Sequence, residues 1–217
     1  MSLRFFMSCI LFAAPSAFLR ADDSVASPAV EEGYTSLFDG KTLDGWKKTE
    51  ENPDSFRVED GKIVAEGERA HLFYDGALAP LKNFHLKAEV MTTPKSNSGI
   101  YFHTKYQPSG WPKYGFECQV NVSNGDPKKS SSLYGVRDIA APPIVDNEWY
   151  TQEIIVKDRN VKLLINGEVM VDFDEPEGQK ESSPDFERLL GEGTFAIQAH
   201  DPESKSYFRN IRVKPLP

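Results

Sequence analysis

Cysteine is scarce in this sequence: two residues in 217, Cys9 and Cys118. Cys9 falls in an N-terminal segment that reads as removable, so Cys118 stands alone in the mature chain and an internal disulfide is excluded. Stability must then come from a hydrophobic core. Cys118 itself lies on the apolar face of a strand-like run, which makes it a buried, inert thiol rather than a nucleophile. Positive charge is also short. A net charge of -8 gives no general attraction to nucleic acid or anionic lipid, and neither partner is expected. The apolar run from Phe5 to Phe18 falls short of the ~20 residues a membrane span needs. Long segments with a helical period, a glycine-rich phosphate loop, a G-x-S-x-G nucleophile elbow and internal repeats are all missing. That leaves an all-β domain whose chemistry must be carried by side chains on strands and loops.

The N-terminus has Arg4, the run Phe5 to Phe18, and then Leu19-Arg20-Ala21 ahead of Asp22-Asp23. This is the layout of a secretory signal over residues 1–21 with cleavage near Ala21, and it places the mature protein in the periplasm or outside the cell. Residues 22–33 carry Ser, Ala, Pro and acid without periodicity and read as a flexible linker. Residues 34–217, within a chain of 39% hydrophobic and 12% aromatic residues, suffice for one large sandwich.

Short runs of β-branched and aromatic residues alternate with Gly, Pro, Asn and Asp clusters from Tyr34 onward. Asp60-Gly61 and Asn166-Gly167 suit tight hairpins. Asp174 to Glu192 is polar and acidic and reads as a loop. The most informative stretch is Ser96 to Asn121. Because side chains alternate in a strand, Ile100 and Phe102 oppose Gly99, Tyr101, His103 and Lys105, while Phe116, Cys118 and Val120 oppose Glu117, Gln119 and Asn121. In Asn83 to Thr93 the apolar row Phe84, Leu86, Ala88, Val90 puts Glu89 on the other side, and in Thr194 to His200 the row Phe195, Ile197, Ala199 does the same for Gln198 and His200.

If those four polar rows share one sheet, with strands about 4.8 Å apart, Glu89, Tyr101, His103, Glu117, Gln119, Asn121, Gln198 and His200 converge on one sugar-sized ligand. Amides and carboxylates would hold hydroxyls, and Tyr101, Trp111 or Tyr114 would stack on a sugar face. A carbohydrate is the expected partner. An ordinary glycosidase needs two carboxylates about 5 to 9 Å apart, for which Glu89 and Glu117 are the candidates, but the row Glu117, Gln119, Asn121 lacks the repeated acids of laminarinase-type sandwiches. A divalent metal on His103, Glu117 and His200 is a further reading, without a compact spacing motif behind it. For His200 there is also a plain structural reading, a hydrogen bond within the Asp201-Pro202 turn.

A set of motifs occurs in order: Ser36-Leu37-Phe38-Asp39-Gly40, Leu43-Asp44-Gly45-Trp46, Asn97-Ser98-Gly99-Ile100-Tyr101-Phe102, Tyr114-Gly115-Phe116-Glu117-Cys118-Gln119-Val120, Ser132-Leu133-Tyr134-Gly135, Ile197-Gln198-Ala199-His200 and Phe208-Arg209-Asn210-Ile211. Together they resemble the 3-keto-disaccharide hydrolase family, also described as a 3-keto-glucoside lyase/hydratase, from about Tyr34 to the C-terminus. The resemblance implies a concanavalin A-like jelly-roll sandwich of two antiparallel sheets and a glucoside already oxidised to a ketone at C3. A C3 ketone acidifies the C2 hydrogen, so one base, one donor or cation for the enolate oxygen and one acid for the leaving group suffice. On this reading Glu117 is the base, His200 the acid or enolate donor with His103 next in line, and Glu89 an orienting or proton-sharing group. Tyr101, Gln119, Asn121, Tyr134 and Gln198 hold hydroxyls, with Lys105 and Trp111 beside them. Two stretches depart from the family pattern: Asn124 stands where relatives usually have histidine, and Lys129-Ser130-Ser131-Ser132 where they have Lys-Thr-Gly-Ser. The rival function is a non-catalytic carbohydrate-binding module on the same fold.

Overall fold

The computed structural model describes residues 31–217. The expected signal segment and residues 22–30 of the expected linker lie outside the described residues. Glu31 is tied down, pairing with Lys87 at 3.0 Å and Arg212 at 3.5 Å.

The described residues form thirteen strands: β1 (Thr35–Ser36), β2 (Trp46–Lys48), β3 (Phe56–Glu59), β4 (Lys62–Glu66), β5 (Ala70–Tyr74), β6 (Phe84–Thr92), β7 (Asn97–Thr104), β8 (Phe116–Asn121), β9 (Tyr150–Lys157), β10 (Asn160–Ile165), β11 (Glu168–Asp174), β12 (Thr194–Ala199) and β13 (Lys205–Pro215). They make two antiparallel sheets. The larger runs β11-β10-β9-β6-β13-β4-β3, with β1 also paired to β13, and the smaller runs β2-β5-β12-β7-β8. The all-β jelly-roll expectation holds. Two-residue turns close the hairpins where the dipeptides predict them: Asp60 and Gly61 take φ 44 and 76, and Asn166 and Gly167 φ 51 and 82, the left-handed pair such turns require.

Strand alternation decides what lies between the sheets. Phe84, Leu86, Ala88 and Val90 of β6 face Ile100 and Phe102 of β7, Phe116 and Cys118 of β8, and Phe195 and Ile197 of β12 in one core cluster. Phe102 is fully buried, stacked on Phe116 at 5.7 Å and edge-on to Phe84 at 6.2 Å. The Cys118 thiol sits in this core, accepting from Gln152 Nε2 at 2.7 Å, and burial pushes it up to about 12. No helix among the described residues is long and apolar enough to cross a membrane.

Packing one face of the smaller sheet into the core leaves its other face for polar work. That face carries His71 and Phe73 from β5, Ala196 and Gln198 from β12, Tyr101 from β7, and Glu117 and Gln119 from β8. Register brings them together: Tyr101 lies directly across from Glu117, Gly99 from Gln119, and Gln198 from His71.

Candidate active site

A cavity of about 310 Å³ opens on this outer face, above β12, β7 and β8. Glu117 forms its floor. The carboxylate lies over Gly99, where a Cβ would come within 2.3 Å of Oε1, so the glycine of Asn97-Ser98-Gly99 leaves the space that Glu117 fills. Tyr101 OH donates to Glu117 Oε2 at 3.0 Å, and Gln198 Nε2 donates to Glu117 Oε1 at 3.2 Å and to Tyr101 OH at 3.0 Å. In the amide orientation that satisfies its hydrogen bonds, Gln119 Nε2 donates to Ser98 O at 2.8 Å and to Glu117 Oε1 at 3.1 Å. Burial lifts the Glu117 carboxyl to about 7, against the lowering effect of the Tyr101 and Gln198 hydrogen bonds and of Arg188. A carboxylate so placed is a proton acceptor near neutral pH.

His200 lines the cavity at the end of β12. Its Nδ1 meets Asp201 Oδ2 at 2.7 Å, and Asp201 also accepts from Ser204 Oγ at 2.9 Å. Burial alone would raise the Asp201 carboxyl, but its hydrogen bonds to His200, Ser204 and the Glu203 N–H hold it below the ordinary carboxylate range. The carboxylate thus fixes a proton on Nδ1 and leaves Nε2 as the nitrogen open to a ligand. The turn reading and the site reading of His200 describe one and the same contact.

Trp111 forms a wall. Its loop is held by Gln107 Nε2 donating to Trp111 O at 2.8 Å and by Gly110 N donating to Glu51 Oε1 at 2.8 Å. The indole packs 5.3 Å from the His200 ring, 5.7 Å from His71 and under the Arg69 guanidinium at 5.2 Å. His71, also 5.4 Å from Tyr101, is fully buried, and burial, with Arg69 and His200 adding to it, takes its imidazole down to about 3. It backs the wall as a neutral ring. Opposite, Tyr134 OH donates to Asp126 Oδ2 at 3.1 Å, and burial first, then Asp126, pushes the phenol up to about 12.

Seven of the residues expected from sequence therefore line one cavity: Glu117, His200, Tyr101, Gln119, Tyr134, Gln198 and Trp111. Four do not. Glu89 is on β6 in the larger sheet, where it accepts from Arg209 Nε at 2.7 Å and Asn210 Nδ2 at 2.9 Å. Its alternation is as expected; the sheet is not. His103 has φ 55, which breaks the alternation of β7 and turns its ring toward Phe84 at 5.5 Å. Its Nε2 bonds Lys82 O at 2.8 Å and its Nδ1 accepts from Gly191 N at 3.1 Å. Lys105 lines a separate groove with His103, its Nζ 4.4 Å over the Tyr114 ring. Asn121 spends its side chain on the loop after β8, donating to Asp126 O at 3.0 Å and Lys128 O at 2.9 Å and accepting from Asn124 N at 3.0 Å.

Among the described residues no group of three His, Cys, Asp or Glu side chains gathers to hold a metal ion, and the proposed trio of His103, Glu117 and His200 is split between two depressions. Asn124, the departure from the family pattern, donates to Lys95 O at 2.7 Å and builds the loop rather than lining the cavity. Lining residues missing from the sequence expectation are Asn97, which shares the face of Gly99 and Tyr101 by alternation, and Asp126, Lys113, Phe186 and Arg188. Apart from Asn97 they come from loops, where no periodicity marks the facing side. The cavity's second carboxylate is thus Asp126, not Glu89.

The five-on-eight antiparallel sandwich, with this amide- and aromatic-lined cavity on its smaller sheet, is of the concanavalin A-like jelly-roll class. A glycosyl hydrolase candidate from Parabacteroides distasonis has the same architecture, with a TM-score of 0.71 at 26% identity over 86% of this chain and 95% of that one. A pseudo β-1,3-glucanase of Mycobacterium tuberculosis shares the fold at a TM-score of 0.54 and 10% identity, over 85% of this chain and 98% of that one. A 3-keto-disaccharide hydrolase of Bacteroides thetaiotaomicron is 34% identical over 88 residues, 37% of this chain, and the match spans 30% of that protein's length. The chain belongs to the family of the 3-keto-alpha-glucoside-1,2-lyase-like domain, whose model matches residues 33–214.

Proposed function

We propose that the protein is an exported enzyme that cleaves 3-keto-glucosides, including 3-keto-disaccharides, by elimination and hydration. The observation that carries this reading is the Glu117 carboxylate, half-buried, clamped by Tyr101 and Gln198, and raised to about 7. Oxocarbenium chemistry calls for two carboxylates flanking the glycosidic bond. Here the nearest carboxylate to share the cavity, Asp126, is engaged by Tyr134.

In the proposed reaction Glu117 takes the C2 proton, and the electron pair passes through C3 onto the ketone oxygen. The enolate collapses, the C1–O bond breaks, and the aglycone oxygen takes a proton from His200 Nε2. Water then adds to C1, giving its proton back to His200, while Glu117, after exchanging the captured proton with solvent, returns one to C2. The product is the free 3-keto sugar. Trp111 supplies a face for stacking, and Gln119, Gln198 and Asn97 supply donors and acceptors for ring hydroxyls. The signal-like segment at the N-terminus supports action outside the cytoplasm.

A Glu117→Gln protein should lose turnover of a 3-keto-glucoside by about 100-fold or more, the usual weight of a general base. Full turnover in that variant would contradict the assignment. The binding-module reading has in its favour a lining sufficient to hold a sugar with no reaction at all, and it predicts binding without product from the unaltered protein.

A further inference from the structure

Arg188 is a cavity residue that the reaction above leaves without a task. It stands in the long segment between β11 and β12 with φ 50, a left-handed conformation that a non-glycine residue holds at a cost. Its neighbours impose it: Glu187 N donates to Lys113 O at 2.9 Å, Leu190 N to Glu175 Oε1 at 2.6 Å, and Gly191 N to His103 Nδ1 at 3.1 Å. The guanidinium is seated 5.4 Å from the Phe186 ring and against Gly135, where a Cβ would come within 3.0 Å of it. Its side-chain hydrogen bond among the described residues is from Nη1 to Ser182 Oγ at 3.3 Å, and it enters no ion pair there.

One cavity therefore holds a guanidinium and a half-buried carboxylate that attract each other yet do not meet. Attraction would draw the pair together if both side chains were free to move. The strained backbone and the Phe186 and Gly135 contacts keep them apart, and the gap is where a ligand must sit. In the proposed reaction negative charge leaves Glu117 and appears on the C3 oxygen. A cation accelerates that step only when it serves the oxygen better than it serves the carboxylate, which is what separation from Glu117 achieves. The two cavity hydroxyls are not available for the task, since Tyr101 OH donates to Glu117 and Tyr134 OH to Asp126.

We propose that Arg188 is a further catalytic residue, whose guanidinium donates to the C3 oxygen of the substrate and carries the charge of the enolate. The proposal rests on the elimination reading of the site. As the C2–H bond breaks, the proton goes to Glu117 and the electron pair forms the C2–C3 double bond, displacing the carbonyl pair onto oxygen beside Arg188. The guanidinium keeps its own protons throughout, as arginine does in proteins. His200 is then left for the aglycone alone.

The test is exchange of the C2 hydrogen of 3-keto-glucose in D2O, followed by NMR, which needs no leaving group. Alongside it, sugar affinity is measured by calorimetry and folding by thermal melting. Arg188→Gln should slow exchange at saturating sugar by about 100-fold while affinity changes far less, and Arg188→Lys should recover part of the loss. Losing the cation should also move the acid limb of the pH profile upward, since it favours ionised Glu117; Asp126, Lys113 and His200 face the same cavity and are unchanged in the variant. Arg188→Gln exchanging at the wild-type rate, or losing only affinity, overturns the role of Arg188 and leaves the reaction standing. A wild-type protein that neither exchanges nor cleaves any 3-keto sugar overturns both.

Discussion

Glu117 owes its position to a residue with no side chain. With a Cβ at position 99 only 2.3 Å from Glu117 Oε1, Gly99→Ala must push the carboxylate off the Tyr101 and Gln198 donors. We expect it to cost about 1 to 3 kcal/mol and most of the activity, read by melting and turnover together. The raised carboxyl also sets a sign for stability. Its folded value near 7 exceeds the ~4.3 of an unfolded Glu, so the contribution is complete below pH ~4.3 and is lost as pH rises through 7. The full difference is at most about 4 kcal/mol, lowered by whatever solvent reaches the cavity. Glu117→Gln should accordingly be inactive yet melt higher than wild type at pH 8, with the gap closing at pH 5; a variant less stable at both would contradict the burial argument. At this scale strict alternation made Tyr101, Glu117, Gln119 and Gln198 legible in the sequence. His103 was not, because a single positive φ at the end of β7 reverses its face.

Between β11 and β12 runs the element that period and polarity describe least well. Read from sequence it is a polar loop, and it is one; its contribution of Phe186 and Arg188 to the cavity depends on anchors far away in the chain. His103 is one such anchor. Burial lowers its imidazole, against the raising influence of the Lys82 carbonyl and Glu192, and the neutral ring donates from Nε2 to Lys82 O while Nδ1 accepts from Gly191 N. His103→Ala should therefore speed hydrogen exchange of the amides of residues 186–193 and raise KM more than it lowers kcat. A proportionate fall in kcat with KM unchanged would instead point to direct chemistry at His103. The misplacement of Glu89 belongs to this scale as well. Every strand of a sandwich turns one face outward, and the apolar row of β6 says which face that is but not on which sheet it lies.

Across the whole molecule, stability rests on the aromatic seam between the sheets, because among the described residues the cysteine present is a free, buried thiol. Phe102, fully buried between Phe84 and Phe116, should cost about 3 to 5 kcal/mol when replaced by Ala, measured by denaturant unfolding. The sandwich was readable because β6, β7, β8 and β12 carry a two-residue period and the β3–β4 and β10–β11 hairpins a turn dipeptide, whereas the loop-borne half of the cavity carries neither. What this architecture does to a keto sugar is read by incubating the protein with a 3-keto-glucoside in D2O and following aglycone release and the C2 position together. The account predicts release with deuterium at C2 of the sugar from the earliest turnovers, and loss of both signals in Glu117→Gln. Release with C2 still carrying hydrogen would mean direct hydrolysis and contradict it, and sugar binding with no release would make the protein a binding module.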